Sequence, residues 1–400
     1  MPLRDAEHTL TQSIARRGPA MLDDLRSLVN VPTGPNGNGL EKARGFMSAR
    51  LTALGATESR VPGDPKEAWL RAGGEPQEIP PTVICRRLRA GVPGVLLCGH
   101  LDTVHDANGP FREFQLSPDG AICTGPGCVD MKGGLVVALH ALEALDESGV
   151  PVSWGFVLNS DEETGSYHSD RAMRDEAKGY SAGLVFEPAT ADGGLVVKRP
   201  GSGQFVIEVR GKSGHAGRDF KTSVNAVHTL AEAIVRAARL ADPDRGRIVN
   251  IGPLTGGAAT NIVPDIATAA GNVRYETPEI GDELGRALDS LATEGEALPR
   301  IRVRRSFNRP AKPLTPVTEA LALAARTAAA DLGQALPFGS TGGVCDGNNL
   351  QAAGLPTIDT LGVRGGGLHT TGEWVEVASL VQRCQLTAVL IARLCGKSAD

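Results

Sequence analysis

The residues best suited to chemistry fall in five short stretches. His100-Leu101-Asp102 comes first. A neutral imidazole is a metal ligand, and a nearby acid can accept its second ring proton. Residues 125–134, GPGCVDMKGG, hold Asp130 among glycines that permit a sharp turn and a close backbone approach. An Asp held rigidly there is suited to bridge two cations, although it would serve equally as a helix N-cap. In Ser160-Asp161-Glu162-Glu163 three successive acids repel one another, and a cation would relieve that repulsion. If one Glu binds metal, its neighbour can reach a metal-bound water as general base. A solvated acidic turn is the plain alternative. Glu187 closes a fourth stretch, and His369 follows the glycines of a fifth. Each is weak alone. Together, two histidines and three carboxylates, with one carboxylate to spare, make a dinuclear zinc site with a bridging acid and a base.

The elements that must position these residues are legible as periodicity. Residues 95–98, 152–158 and 184–186 are short apolar runs, read as buried strands that each deliver polar residues at the carboxyl end. Open α/β sheets gather their ligands at that end. Residues 133–145 are apolar and Ala-rich, a buried helix, and residues 9–29 read as a helix interrupted at Gly18-Pro19. The middle of the chain changes character. Strands at 204–209, 248–251, 266–275 and 301–307 and helices at 224–240 and 282–291 follow the order β-α-β-β-α-β of a small ferredoxin-like unit. A helix at 317–332, a strand at 356–361 and a helix at 377–394 return to the first pattern. The fold class is therefore α/β. Residues 1–198 and 311–400 form a catalytic domain with a mostly parallel mixed sheet and flanking helices, and residues 199–310 form an inserted lid.

Composition narrows the function classes. The 400 residues are 41% hydrophobic and 22% charged, the balance of a soluble protein, and suit two domains. A net charge of −5 gives no electrostatic reason to expect nucleic acid or an anionic membrane as partner. The opening residues lack the apolar run of a signal peptide, no stretch is long enough to span a bilayer, and a cytoplasmic location is expected. The seven cysteines are scattered, with no CxxC pair, and read as reduced, buried thiols.

The ordered string GHLDTVH, GPGCVDMKGG, SDEETGS, FEPA, GKSGHAG, TNIVPD and GGGLH resembles the M20 family of metallopeptidases and amidohydrolases, over residues 28–394. The wording of FEPA and GKSGHAGRDF is most similar to the glutamate carboxypeptidase (carboxypeptidase G type) branch. The resemblance implies two Zn2+ per chain, with Co2+ or Mn2+ as substitutes. It implies Asp130 as bridging ligand, His100 and Glu187 on one zinc, and Glu163 and His369 on the other. Glu162 matches the general base and Asp102 the acid that orients His100. The peptide after Asp130 is implied to be cis. From the lid, His215 matches a histidine that reaches the partner subunit's active site, and Asn261 and Arg274 match positions that hold a substrate carboxylate. The lid is also the family's dimer interface, so a homodimer is expected. Residues 339–348 resemble the family's Gly-rich substrate-side loop, and residues 106–120 and the stretch Cys345-Asp346-Gly347-Asn348-Asn349 are expected to line the substrate side as well. The implied activity is hydrolysis of the amide bond of a small N-acyl amino acid or dipeptide with a free carboxylate. The alternatives are an N-deacylase of the acetylornithine deacetylase or aminoacylase type, a two-metal phosphoesterase, and a non-catalytic metal-binding protein.

Overall fold

The computed structural model describes residues 3–71 and 78–396. A six-stranded sheet has the spatial order Thr57–Val61, Thr82–Arg87, Ser153–Asn159, Gly94–His100, Ala182–Val185, Thr357–Ile358. The last four strands run parallel, and the first two add an antiparallel edge. The apolar run at 95–98 is explained by its two faces. Val95 and Leu97 pack with the helices Gly133–Glu147 and Ala378–Cys395, while Leu96 and Cys98 pack with Met173 and Leu350 on the other side. A strand covered by helices on both faces has no polar side to show.

A second, four-stranded antiparallel sheet has the order Arg247–Gly256, Ile266–Tyr275, Gly201–Arg210, Arg300–Arg309. It packs on the helices Ala226–Ala238 and Pro278–Asp289 around its own core of Phe205, Ile207, Leu230, Ala269 and Leu284. The chain order is the β-α-β-β-α-β read from sequence. The helix read at 9–29 is two helices, Asp5–Ala15 and Gly18–Val29, broken where Gly18-Pro19 predicts. The strand read at 356–361 is confined to Thr357–Ile358, because Thr360 turns the chain with φ +64°. The seven cysteines are free and buried. No helix among the described residues is long and apolar enough to cross a membrane.

The first helix is tied to the last by Glu7, which accepts from Arg393 Nε at 2.8 Å and Nη2 at 3.0 Å. Those hydrogen bonds hold the Glu7 carboxyl at about 2, against an ordinary 4.5 and despite burial. A depressed acid stabilises the fold fully above its unfolded value and loses that contribution as pH falls through the folded one. Glu7→Gln should therefore lower the melting temperature at neutral pH and change it little at pH 2, flattening the acid limb of a melting-temperature profile.

Candidate metal centre

Each acid or imidazole is delivered by an element that ends beside it. His100 is the last residue of the strand Gly94–His100. Glu162 and Glu163 follow the strand Ser153–Asn159, and Glu187 follows Ala182–Val185. Asp130 sits in the wide helical turn Cys128–Lys132 that feeds the helix Gly133–Glu147. Gly127 enters that turn with φ +72°, and a Cβ there would lie 2.4 Å from Thr103 Cγ2. A Cβ on Gly134 would lie 2.0 Å from the carbonyl oxygen of Phe186. Only glycine lets the start of this helix meet the strand end that carries Glu187. The Asp130-Met131 peptide is cis.

Two ligand sets share one carboxylate. His100, Asp130 and Glu187 form one, and Asp130, Glu163 and His369 the other, with the ligand atoms of each set within 4.8 Å of one another. His100 Nε2 lies 3.2 Å from Asp130 Oδ1 and 3.9 Å from Glu187 Oε1. His369 Nε2 lies 3.4 Å from Asp130 Oδ2 and 3.3 Å from Glu163 Oε2. Ligands at zinc distances on a tetrahedron stand roughly 3.3 Å apart, so the spacing fits a metal in each set. Two further observations favour cations. Glu163 Oε1 and Glu187 Oε1 are buried with no hydrogen-bond partner, a costly state for a carboxylate. Burial also pushes Glu163 to about 8 and Glu187 well above the carboxylate range. Although burial acts in the same sense on Asp130, hydrogen bonds to His100 and His369 hold it below its ordinary value. The bond to Asp130 lifts His369 to about 9.

Glu162 belongs to neither set but lines the same cleft, of about 460 Å3. Burial lifts its carboxyl to about 7, opposed by Arg309. Asp102 has two tasks. Its main-chain oxygen lies 2.9 Å from His100 Nδ1, with its carboxylate at 3.5 Å. That carboxylate also accepts the main-chain N–H of Glu162 at 3.2 Å and of Glu163 at 3.0 Å, so one acid orients a histidine and the acidic turn together.

Three residues read from the sequence as substrate-facing, His215, Asn261 and Arg274, do not line this cleft. His215 and Asn261 are exposed neighbours, joined by Ala216 N–H donating to Asn261 O at 3.0 Å. Arg274 is half-buried in an adjoining cavity of about 610 Å3, which shares Arg199 and Thr341 with the metal cleft. Residues 106–114 line neither space. They wall a third cavity with Thr33 and Lys132. The expectation for residues 345–349 is also corrected, since Asp346, Asn348 and Asn349 are buried by mutual satisfaction. Asn348 Nδ2 donates to the carbonyls of Pro200 and Pro310, and Asp346 accepts from Ser166, Asn159 and Arg309. Within the loop 339–348, Thr341, Gly343 and Val344 line the cleft. Of the other histidines, His8 and His228 are exposed. His140 is buried and satisfied by Asp24, and His168 is held by the Asp64 carbonyl.

Three buried residues around the site went unnoticed in the sequence. Arg309 ends the strand Arg300–Arg309 of the second sheet, and its Nη2 donates to Glu162 Oε1 at 2.6 Å. Arg199 is held by Asp359, which also pairs with Lys312. Glu373 lies four residues beyond His369. An Arg or Lys at a strand end beside Pro310 or Pro200 was the one visible signal.

A sheet with two candidate ligand sets at its carboxyl edge and a further buried acid beside them is an arrangement suited to metal-assisted hydrolysis. Residues 96–393 match peptidase family M20/M25/M40, and the chain belongs to that family. It is 30% identical over 397 residues to carboxypeptidase G2 of Pseudomonas sp. (strain RS-16), covering 97% of this chain and 92% of the relative. It is 30% identical over 326 residues to succinyl-diaminopimelate desuccinylase 2 of Shewanella loihica, covering 74% and 84%. The fold matches the YXEP protein of Bacillus subtilis, a dinuclear metal-binding peptidase of family M20. The TM-score is 0.67 at 16% identity, over 95% of this chain and 99% of that one.

Proposed function

We propose that this hydrolase cleaves the amide bond of a small N-acyl amino acid or dipeptide that bears a free carboxylate, using two metal ions. The observation that carries this reading is the pair of three-ligand sets meeting at Asp130 with Glu162 beside them. His100, Asp130 and Glu187 hold one ion and Asp130, Glu163 and His369 the other. Mixed imidazole and carboxylate ligands suit Zn2+, with Co2+ or Mn2+ as substitutes. The ions supply Lewis acidity toward the scissile carbonyl and toward water. Glu162 takes the proton from the attacking water and hands it to the leaving amine.

Residues 1–198 and 311–400 act as the catalytic unit and residues 199–310 as the lid. Residues 1–2, 72–77 and 397–400 of the first unit lie outside the described residues. The lid's outer strand, Arg247–Gly256, leaves Ile248 and Leu254 about half exposed, and Ile262 and Ile266 are similarly bare. Such apolar exposure supports a homodimer through this sheet, with His215 and Asn261 serving the partner's site.

Arg274 supports the carboxylate requirement. It is half-buried, and no acid pairs with it among the described residues, while burial pushes its guanidinium below its ordinary value. A bidentate carboxylate would satisfy it. With Lys198 and Arg199 in the same cavity, an acidic side chain or acyl group is the favoured cargo. A panel of N-acyl amino acids and dipeptides, each as free acid and as C-terminal amide, tests this with the zinc-loaded protein. Free acids should exceed amides in kcat/KM by roughly 100-fold or more, as expected when a buried polar group is left unpaired. Arg274→Met should erase that preference. Equal cleavage of both forms would sink the carboxylate requirement, and faster release of acyl groups than of amino acids from dipeptides would favour the deacylase.

A further inference from the structure

Glu373 belongs to neither ligand set, yet its carboxylate is buried and fully engaged. It is 1% exposed. Its Oε1 accepts the main-chain N–H groups of Val129 at 2.8 Å and Asp130 at 3.0 Å. Its Oε2 accepts the N–H of Gly127 at 2.9 Å and lies 2.6 Å from His105 Nε2. Four donors therefore converge on two oxygens, and three belong to the single turn that carries the shared ligand Asp130. With three amides already donating to this carboxylate, His105 Nε2 is placed to supply the fourth donor. The ring of His105 is held in turn by Phe111, edge to face at 5.1 Å.

The arrangement joins two parts of the site that the chain keeps far apart. His369 and Glu373 lie on one loop, whose base is closed by Gly365–Gly366 pairing with Trp374 and Val375. That loop sends one side chain to the second ligand set and another to the backbone of Asp130. No Lys or Arg makes a salt bridge to Glu373 among the described residues. Lys132, in the same turn, donates instead to the carbonyls of Val31 at 3.0 Å and Pro126 at 3.2 Å. The turn needs this anchor because its own hydrogen bonding is incomplete. Asp130 and Met131 depart from helical conformation, at φ −118°, ψ 93° and φ −128°, ψ 34°.

We propose that Glu373, with His105 as its side-chain partner, is the positioning residue for the shared carboxylate, setting the orientation of Asp130 and its spacing to His369 through the amides of residues 127–130. The proposal rests on the two-metal reading above. Residues that orient ligands from behind govern metal affinity without touching the metal.

Glu373→Gln keeps the shape but turns an NH2 group toward a nest of N–H donors. Metal-free wild type and variant should be titrated with Zn2+ against a competing chelator, with melting temperatures of both metal-free proteins recorded alongside. The expected result is a loss of affinity of roughly 10- to 100-fold for both ions, because the displaced ligand is common to them. The absorption spectrum of the Co2+-loaded protein should change as well. A lower melting temperature of the metal-free protein with unchanged zinc affinity would make Glu373 a purely structural clamp and overturn the proposal. If the Gln variant does not fold, His105→Phe decides. It removes one of the four donors and leaves the turn intact, so it should weaken zinc several-fold, and unchanged affinity there would overturn the proposal too. A wild-type chain that binds no zinc would instead remove the two-metal reading itself.

Discussion

Glu162→Gln should lower kcat by roughly 10^2- to 10^4-fold, the range a positioned general base contributes, while metal content stays that of the wild type. The expectation follows from where the carboxylate stands. Glu162 belongs to neither ligand set, yet it lines their cleft and its main-chain N–H is tied to Asp102. Its neighbour Glu163 has the opposite assignment, with Oε2 at 3.3 Å from His369 and Oε1 unpartnered. The two neighbours thus have different partners in one cleft, so one can ligate while the other moves a proton. Burial raises the Glu162 carboxyl, opposed by Arg309, and cations in the adjoining ligand sets would lower it again and favour the carboxylate form that a base needs. An amide in its place cannot accept that proton but keeps the volume and can still accept a hydrogen bond from Arg309. Metal analysis and single-turnover rates on the same preparation separate the outcomes. Loss of metal together with activity would make Glu162 a ligand, and retained turnover would move the base elsewhere.

The site's metal face was legible because its residues obey local rules. His100, Glu163 and Glu187 each follow an apolar run, and the run announces both the strand and which end of it will hold polar groups. Asp130 is flagged by the glycines around it. The positioning groups obey no such rule. Arg309 and Glu162 are 147 residues apart, and an Arg in the segment Arg-Arg-Ser-Phe-Asn-Arg reads as one exposed charge among several. Its neighbours Arg304 and Arg305 are partly exposed, yet Arg309 is 2% exposed. Glu373 follows Thr-Thr-Gly, the composition of an open loop. The stretch 345–349 misled for the same reason. Polarity locates a residue at the surface only when no distant backbone or side chain completes its hydrogen bonds, and here Pro200, Pro310, Ser166 and Arg309 do. The helix Leu40–Ala53 also escaped notice. Its buried Ala43, Met47 and Leu51 share a face with Arg44 and Ser48, which blurs the apolar stripe.

Arg309→Met should be nearly as damaging to turnover as loss of the base, by a different route. Arg309 Nη2 donates to Glu162 Oε1 at 2.6 Å and to Ser166 Oγ at 2.8 Å, and its Nη1 donates to Asp346 Oδ1 at 2.8 Å and Asn349 Oδ1 at 3.1 Å. One planar fork thus holds the Glu162 carboxylate against a buried acid, from the last residue of the strand Arg300–Arg309. Removing it leaves Asp346 buried with its charge unpaired, and breaking a buried pair costs about 3–5 kcal/mol of stability. It also frees the Glu162 carboxylate to leave its geometry, and a misplaced catalytic group costs on the order of 100-fold in rate. The two effects separate in a double variant. Asp346→Asn added to Arg309→Met removes the stranded charge, so the melting temperature should recover in part while kcat stays low and KM changes little. Arg309→Lys should fall between wild type and Met, since an ammonium can reach one of the two acids but lacks the fork that spans both. If kcat recovers along with stability in the double variant, Arg309 serves the fold alone, and the orientation of Glu162 must be set by Asp102 and the acidic turn.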